Sequence, residues 1–203
     1  MPDLGASILD LAGASVNEYA LDGIMFLEST DTKGPTHTLV EYWHGGIEEG
    51  IYASLDLIPN TTYRSIRVDN WVYGVWCTGE KELYDISSPH SDSPPWDIQT
   101  DPYQLVNLAS STSNNTQVDT TRIISRLDAL LIVLKTCIGD ICSKPWSAIF
   151  SSGEAASLED ALNEEYDAYF NALPKFGYLE CQYGYFEDGV SEYPRWNASM
   201  GYN

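Results

Sequence analysis

Apolar and polar residues alternate most regularly between Trp71 and Ile86. Trp71, Tyr73, Val75 and Cys77 fall on one side of the alternation and Val72, Gly74 and Trp76 on the other, which predicts a strand over residues 71–77. Thr78 and Gly79 predict a bend, and Leu83 and Ile86 mark a returning strand over 81–86. Trp71, Tyr73, Trp76, Cys77 and Tyr84 make this hairpin a large apolar anchor. Two further strands are predicted over 37–43 and 61–68, and the short loops between the last three strands favour an antiparallel meander.

The period changes to helical over 121–136, where Ile123, Leu127, Leu130 and Leu134 form a stripe that Ile124 and Leu131 widen. Val118, Asp119, Thr120 and Thr121 offer caps ahead of it. Such a helix is the natural cover for one face of the sheet. The expected fold class is therefore α+β, a four-stranded antiparallel sheet with a packed helix.

Shorter helical signals flank this unit. Residues 2–12 carry Leu4, Ile8 and Leu11 on one face, with Gly13 placed as a C-terminal cap. Asp101 and Pro102 read as the N-cap and first position of a short helix, and Asn107 as the residue that caps or bonds back where it ends. From Ser151 the chain turns acidic, with Lys175 and Arg195 as its only basic residues. There Ser157-Leu158-Glu159-Asp160 resembles a capping box, and Leu158, Leu162, Tyr166, Tyr169 and Phe170 form a helical stripe. The last stretch, from Glu187, is rich in Gly, Asn and Ser and reads as loose.

Composition narrows the function classes. The 203 residues carry a formal charge of −20, with no basic patch to neutralise phosphates, which argues against nucleic acid and against anionic membranes as partners. No apolar run is long enough to span a bilayer. The N-terminus has acids at Asp3 and Asp10 and lacks the basic start of a signal peptide. Against that, N-x-S/T sequons stand at Asn60, Asn114 and Asn197, and the cysteines number four. These features together fit a secretory chain, and a secretory chain with no leader suggests a missing N-terminus.

A set of ordered segments resembles the C-terminal region of sulfatases, most closely secreted fungal arylsulfatases and lysosomal N-acetylglucosamine-6-sulfatases. The segments are PDLGASILDLAG from Pro2, HTLVEYW from His37, NTTYRSIRV from Asn60, VWCTGEKELYD from Val75, TDPYQLVNL from Thr100, RLDALLIVLKTCIGDICSKPW from Arg126 and FGYLECQYGY from Phe176. The resemblance implies three parts. Residues 1–35 are the tail of an α/β catalytic domain and a linker, 36–150 the C-terminal subdomain, and 151–203 an acidic extension. It also implies that Met1 starts in mid-domain, with a catalytic domain upstream as the missing partner. Within the subdomain, residues 86–97 (ISSPHSDSPPWD) interrupt the family pattern, either as an ordinary variable loop or as an in-frame insertion such as a retained intron.

The family hydrolyses sulfate monoesters with calcium and a formylglycine, an aldehyde made from the cysteine or serine of C/S-x-P-x-R. The four cysteine contexts here, CTGEK, CIGDI, CSKPW and CQYGY, do not match that motif, and the N-terminal Asp-Asp calcium pair is absent. Asp69-Asn70 superficially resembles the family's later Asp-Asn metal pair but sits between two strands, where a turn is the ordinary reading. The expectation is that this chain holds no nucleophile, metal ligand or general acid, binds no cofactor itself, and is inactive alone.

The resemblance further implies that Cys137 and Cys142 are paired, a short loop at a helix end that Gly139 helps to bend; Cys77 and Cys181 then remain as the second pair. His37, Glu41 and His44 lie together on one strand, with His37 and Glu41 on the same face. They read either as a polar strand edge or as contacts at the mouth of the active site, which the family's C-terminal subdomain borders. In the complete protein the location implied is secreted or lysosomal. The alternative function is a non-enzymatic secreted module that binds carbohydrate or protein through exposed Trp and Tyr side chains.

Overall fold

In a pleated strand successive side chains point to opposite faces, so the register of one pair fixes which residues share a face across the whole sheet. The computed structural model describes residues 2–14, 36–43, 60–87, 101–110, 119–181 and 192–193. Its main sheet is formed by β1 (His37–Tyr42), β2 (Tyr63–Val68), β3 (Trp71–Trp76) and β4 (Lys81–Asp85), each antiparallel to the next, in the order β1-β2-β3-β4. The meander and the α+β class expected from the sequence are what the structure shows.

The turns explain the register. Asp69 and Asn70 are the exposed two-residue connection between β2 and β3, with Asp69 at φ 51°, and Val68 pairs directly with Trp71. Asp is among the residues that tolerate this left-handed conformation. Gly79, at φ 91°, closes the β3–β4 bend by donating its amide to the Trp76 carbonyl, while Trp76 in turn donates to Glu80. The inner face is then His37, Leu39 and Glu41; Arg64, Ile66 and Val68; Trp71, Tyr73 and Val75; and Lys81, Leu83 and Asp85. Ile66, Tyr73 and Leu83 at its centre are fully buried.

Helix α2 (Thr120–Leu134) covers that face. Asp119 is its N-cap, accepting the Arg122 amide at 3.0 Å. The expected stripe of Ile123, Leu127, Leu130 and Leu134 is buried, but so are Ala129, Ile132 and Val133 on other sides of the helix. The reason is a second layer. Ala155, Leu158, Ala161, Phe170, Leu173, Phe176 and Tyr178 from the C-terminal stretch join the same core, so α2 lies inside the molecule with cover beyond the sheet.

After α2 come α3 (Asp140–Ser143), α4 (Trp146–Ile149), α5 (Leu158–Ala161), a 3₁₀ turn (Glu164–Tyr166) and α6 (Asp167–Ala172). The helical stripe read from Leu158 to Phe170 is thus divided among three short elements. Ser157 caps α5 as expected, accepting the Asp160 amide at 3.1 Å. Asn163 then interrupts, extended at ψ 136°, with its side chain accepting the Glu165 amide at 3.2 Å. Local side-chain bonds of this kind compete with helix propagation. All five stripe residues nevertheless pack on the core.

The segment at 101–110 is a correction. Asp101 does not start a helix: its carboxylate accepts the Val106 amide at 2.7 Å, five residues on, and Gln104 sits at φ 56°, which ends any helical continuation. The segment instead runs back along β4. Asn107 accepts the Leu83 amide at 3.1 Å and donates to the Lys81 carbonyl at 2.9 Å, and Leu108 donates to the Leu83 carbonyl at 2.8 Å. Asp101 also donates to the Asp85 carbonyl at 2.6 Å, so residues 86–100 leave and return at one hydrogen-bonded point. Ile86 and Ser87 are the only residues of the 86–97 interruption among those described.

A small second sheet pairs β5 (Gly177–Tyr178) with β6 (Glu192–Tyr193). The Tyr193 ring lies across Gly177, where an added Cβ would meet its hydroxyl oxygen at 2.6 Å. Disulfides join Cys77 to Cys181, a separation of 104 residues, and Cys137 to Cys142. In the chain-entropy picture the long one restrains the unfolded chain by about 4–5 kcal/mol. Helix α1 (Pro2–Leu11) buries Ala6 and Ser7 and exposes Leu4, Ile8 and Leu11. No described helix is long and apolar enough to cross a membrane. The stretch from Glu187, read as loose, lies outside the described residues except for Glu192 and Tyr193.

Candidate functional site

Charges on the inner face of a sheet must find partners, because an unpaired buried charge is strongly destabilising. Glu41, Arg64, Val75 and Lys81 lie side by side across the four strands. Arg64 is 2% exposed. Its Nε donates to Glu192 Oε1 at 2.5 Å and its Nη2 to Oε2 at 3.3 Å, a two-point clasp between β2 and β6. Its Nη1 stands 2.7 Å from Glu41 Oε2 in ion-pair contact, without the alignment of a hydrogen bond. Trp43 completes the enclosure, with its ring 5.1 Å from the guanidinium and its indole N–H donated to Glu41 at 2.9 Å. The Tyr178 hydroxyl is buried nearby with no hydrogen-bond partner among the described residues. Burial and the Glu192 carboxylate both push its ionisation well above the usual tyrosine range.

Of the three residues read as a polar strand edge or as contacts at an active-site mouth, His37 and Glu41 do share a face, as the alternation predicts, and His44 lies outside the described residues. His37 and Glu41 are not assembled into one centre. His37 Nε2 donates to the Cys142 carbonyl at 2.8 Å, which assigns the ring proton to Nε2, while Nδ1 faces Thr36 Oγ1 at 3.3 Å. Glu41 is held by Arg64 and Trp43, with its side chain 39% exposed.

A second polar centre lies deeper. The Asp128 carboxylate, 1% exposed on α2, accepts the Tyr73 hydroxyl at 2.5 Å, Lys81 Nζ at 2.9 Å and the Phe176 amide at 2.8 Å. One side chain thereby ties helix, sheet and C-terminal stretch together. Burial first, and Asp128 second, raise the Tyr73 hydroxyl far above the ordinary phenol range, so it keeps the proton that it donates to Asp128.

The third centre joins α2 to α6. Arg122 makes a forked contact with Asp167, Nε to Oδ1 at 2.9 Å and Nη2 to Oδ2 at 2.8 Å. Arg126, 1% exposed, adds a 2.6 Å bond to Asp167 Oδ1, donates to the Ala161 carbonyl at 2.9 Å and covers the Phe170 ring at 4.4 Å. The hydrogen bond from Arg122, reinforced by Arg126, lowers the Asp167 carboxyl to about 2. Burial lowers Arg126 from its usual guanidinium value.

None of Arg64, Asp128, Asp167 and Glu192 stood out as a site in the sequence. The signal for two of them is present: Arg64 interrupts the buried positions of β2, and Asp128 is the one charged residue in the otherwise apolar run 127–134 of α2. A charge at such a position announces a partner without naming it. Of the sequons, Asn60 is exposed at a turn, and Asn114 and Asn197 lie outside the described residues.

Comparison with known proteins decides the family. The chain is 32% identical over 142 residues to Sulfatase ppz1 of Metarhizium majus, covering 68% of this chain and 30% of that protein. It is 30% identical over 199 residues to the arylsulfatases of Chlamydomonas reinhardtii and Volvox carteri, in each case covering 88% of this chain and 28% of the relative. The sequence belongs to the sulfatases. It spans less than a third of the length of each of these relatives. No protein-family model and no solved structure matches it.

The groups that the sulfatase resemblance implies, calcium and a formylglycine, do not fit the described residues. No three His, Cys, Asp or Glu side chains among them converge as metal donors. Every cysteine is in a disulfide, so none offers a thiol for conversion to an aldehyde. Asp69 and Asn70 form the β2–β3 turn, with both residues exposed. The three polar centres join elements to one another, and their carboxylates are occupied by those ties. Their chemistry is that of ties within a fold.

Proposed function

We propose that this chain forms the C-terminal portion of an arylsulfatase-type sulfuric ester hydrolase, in which residues beyond these 203 carry out hydrolysis of a sulfate monoester. The observation that carries this reading is the match to two algal arylsulfatases over 88% of the chain but only 28% of theirs. The paired cysteines and the lack of a converging donor set among the described residues support a role in framing the site rather than in its chemistry. The exposed face of α1 supports an upstream catalytic domain as its partner, since Leu4, Ile8 and Leu11 have no cover in the structure described. Two disulfides support passage through an oxidising, secretory compartment. The reading extends to His37 and Glu41 on the edge strand β1, which are proposed as contacts at the mouth of the site in the complete protein.

The test is a fusion. The chain alone, with calcium, should hydrolyse no aryl sulfate above background, because the groups that stabilise the transition state are supplied from elsewhere. The upstream part of a close relative, joined ahead of Met1 and made together with a formylglycine-generating enzyme, should restore calcium-dependent turnover. Turnover by the unextended chain that survives repurification would overturn the proposal.

A second reading has its own observation. On the outer face of the sheet, Tyr42, Tyr63 and Trp76 line up across three strands, with ring centroids 6.0 and 4.8 Å apart. Such a row suits stacking on sugar rings, which favours a secreted carbohydrate-binding module. Retention of the isolated chain on a neutral polysaccharide, lost on Trp76→Ala, would favour this reading over the hydrolase one.

A further inference from the structure

The C-terminal layer contains a cleft that neither reading uses. It has a volume of about 310 Å³ and lies between the end of α4 and the 3₁₀–α6 segment. Phe150 forms the inner part, 7% exposed, with its ring 4.9 Å from Tyr166 and 5.8 Å from Tyr169. Glu154 and Ser152 line the same cleft, and the Ser152 hydroxyl donates to the Glu154 carboxylate. That bond, first among its causes, lowers the Glu154 carboxyl below its usual range and keeps it ionised.

From these observations we propose that the cleft is a binding site for a small organic ammonium ion, a cationic head group held against aromatic rings and one carboxylate. Aromatic faces attract alkylated ammonium ions through their quadrupoles, and they do so best where water is partly excluded. The electrostatics are complementary. Glu165, Glu154 and Asp160 all act on Tyr166, and among the described residues no Lys or Arg forms an ion pair with Glu154. The cleft therefore presents uncompensated negative charge behind a ring-lined wall, in a chain of net charge −20. Tyr169 is fixed by donating its hydroxyl to the Ile149 carbonyl at 3.0 Å, so its ring is positioned before any ligand arrives. The volume suits a head group and little more. The site is independent of the sulfatase chemistry.

The test is a titration of the full chain with choline, followed by NMR and calorimetry. Saturable binding at millimolar concentration is expected, with shifts centred on Phe150, Tyr166 and Tyr169. The uncharged isostere 3,3-dimethylbutan-1-ol should not bind measurably. Glu154→Gln and Tyr166→Leu should each weaken choline by about tenfold, while Tyr166→Phe keeps the ring and the affinity. Circular dichroism melts identify any variant that fails to fold, and Tyr166→Phe together with the neutral isostere then decides the matter. A trimethyllysine peptide in a second arm separates a protein-borne head group from a free one. Equal binding of the neutral isostere, absence of saturation, or full affinity in both Glu154→Gln and Tyr166→Leu would overturn the proposal.

Discussion

Helices α1 and α2 are both amphipathic by sequence, with leucine and isoleucine at helical spacing. In α2 the residues Ile123, Leu127, Leu130 and Leu134 are at most 5% exposed. In α1 the corresponding Leu4, Ile8 and Leu11 are 44, 55 and 73% exposed. Periodicity is therefore equally strong evidence that a helix forms and that it has a sticky face, and no evidence about where the cover comes from. For α2 the cover lies within the chain, on two sides. For α1 it does not come from the described residues, which is the contrast expected if a partner segment lies elsewhere in a longer sulfatase.

Truncating one stripe side chain on each helix gives the largest separation. Leu130→Ala, fully buried between the sheet and the C-terminal layer, should cost about 2–5 kcal/mol, as for other leucines in close-packed cores. Ile8→Ala should cost no more than about 0.5 kcal/mol, the range of surface substitutions. Urea midpoints of the two variants check this directly, and similar losses would mean that α1 is covered in solution.

The polar ties of α2 sharpen the contrast at smaller scale. Tyr73→Phe removes one of three donors to the buried Asp128 carboxylate and should cost about 1.5–3 kcal/mol, the range for hydrogen bonds to charged groups. Asp128→Asn should cost more than Tyr73→Phe, because Lys81 then loses its counter-charge as well. If Tyr73→Phe is neutral in thermal melts, the network adds specificity without adding stability.

A pH series separates α2 from α1 through Asp167. Its folded carboxyl stands at about 2, below the ordinary unfolded value of about 3.9. A depressed folded value means that the contribution of Asp167 is fully present above about pH 4 and is lost as the pH falls toward 2. The stability gap between the protein and its Asp167→Asn variant should therefore be constant at neutral pH and narrow between pH 4 and 2. Melting temperatures of both proteins across that range provide the check. A gap that widens on acidification would contradict the geometry at Arg122 and Arg126.

These elements also show how far the sequence could be read. The four strands and α2 were legible because local signals agree: alternation, a two-residue turn, a glycine bend and an aspartate cap all point to one arrangement. The Asp101–Pro102 start was misread because its cap signal is real but serves a turn, and the competing bonds from Asn107 to β4 are non-local. The stripe from Leu158 to Phe170 was correct as a face and wrong as one helix, since Asn163 breaks it. The tie between Arg64 and Glu192 spans 128 residues, and no local pattern encodes such a distance. The family resemblance adds what periodicity could not, a proposal for why α1 finds no cover among the described residues.

The smallest expected effect is the most informative about α1. Ile8→Ser combined with Leu11→Ser removes apolar area that is already in water, so unfolding recovers almost none of it. At about 25 cal/mol per Å² only area that changes its exposure counts toward stability. The helix keeps its hydrogen bonds, the buried Ala6 and Ser7, and the Gly13 amide bond to the Asp10 carbonyl at 2.8 Å. Stability should thus shift by no more than about 0.5 kcal/mol. Association is a different quantity, because two exposed faces that meet do bury area. The double variant should self-associate less than the parent in sedimentation equilibrium at equal protein concentration, with an unchanged melt. A melt that falls while association stays constant would show that Ile8 and Leu11 pack inside the chain. The upstream partner would then have to be argued from the relatives' length alone.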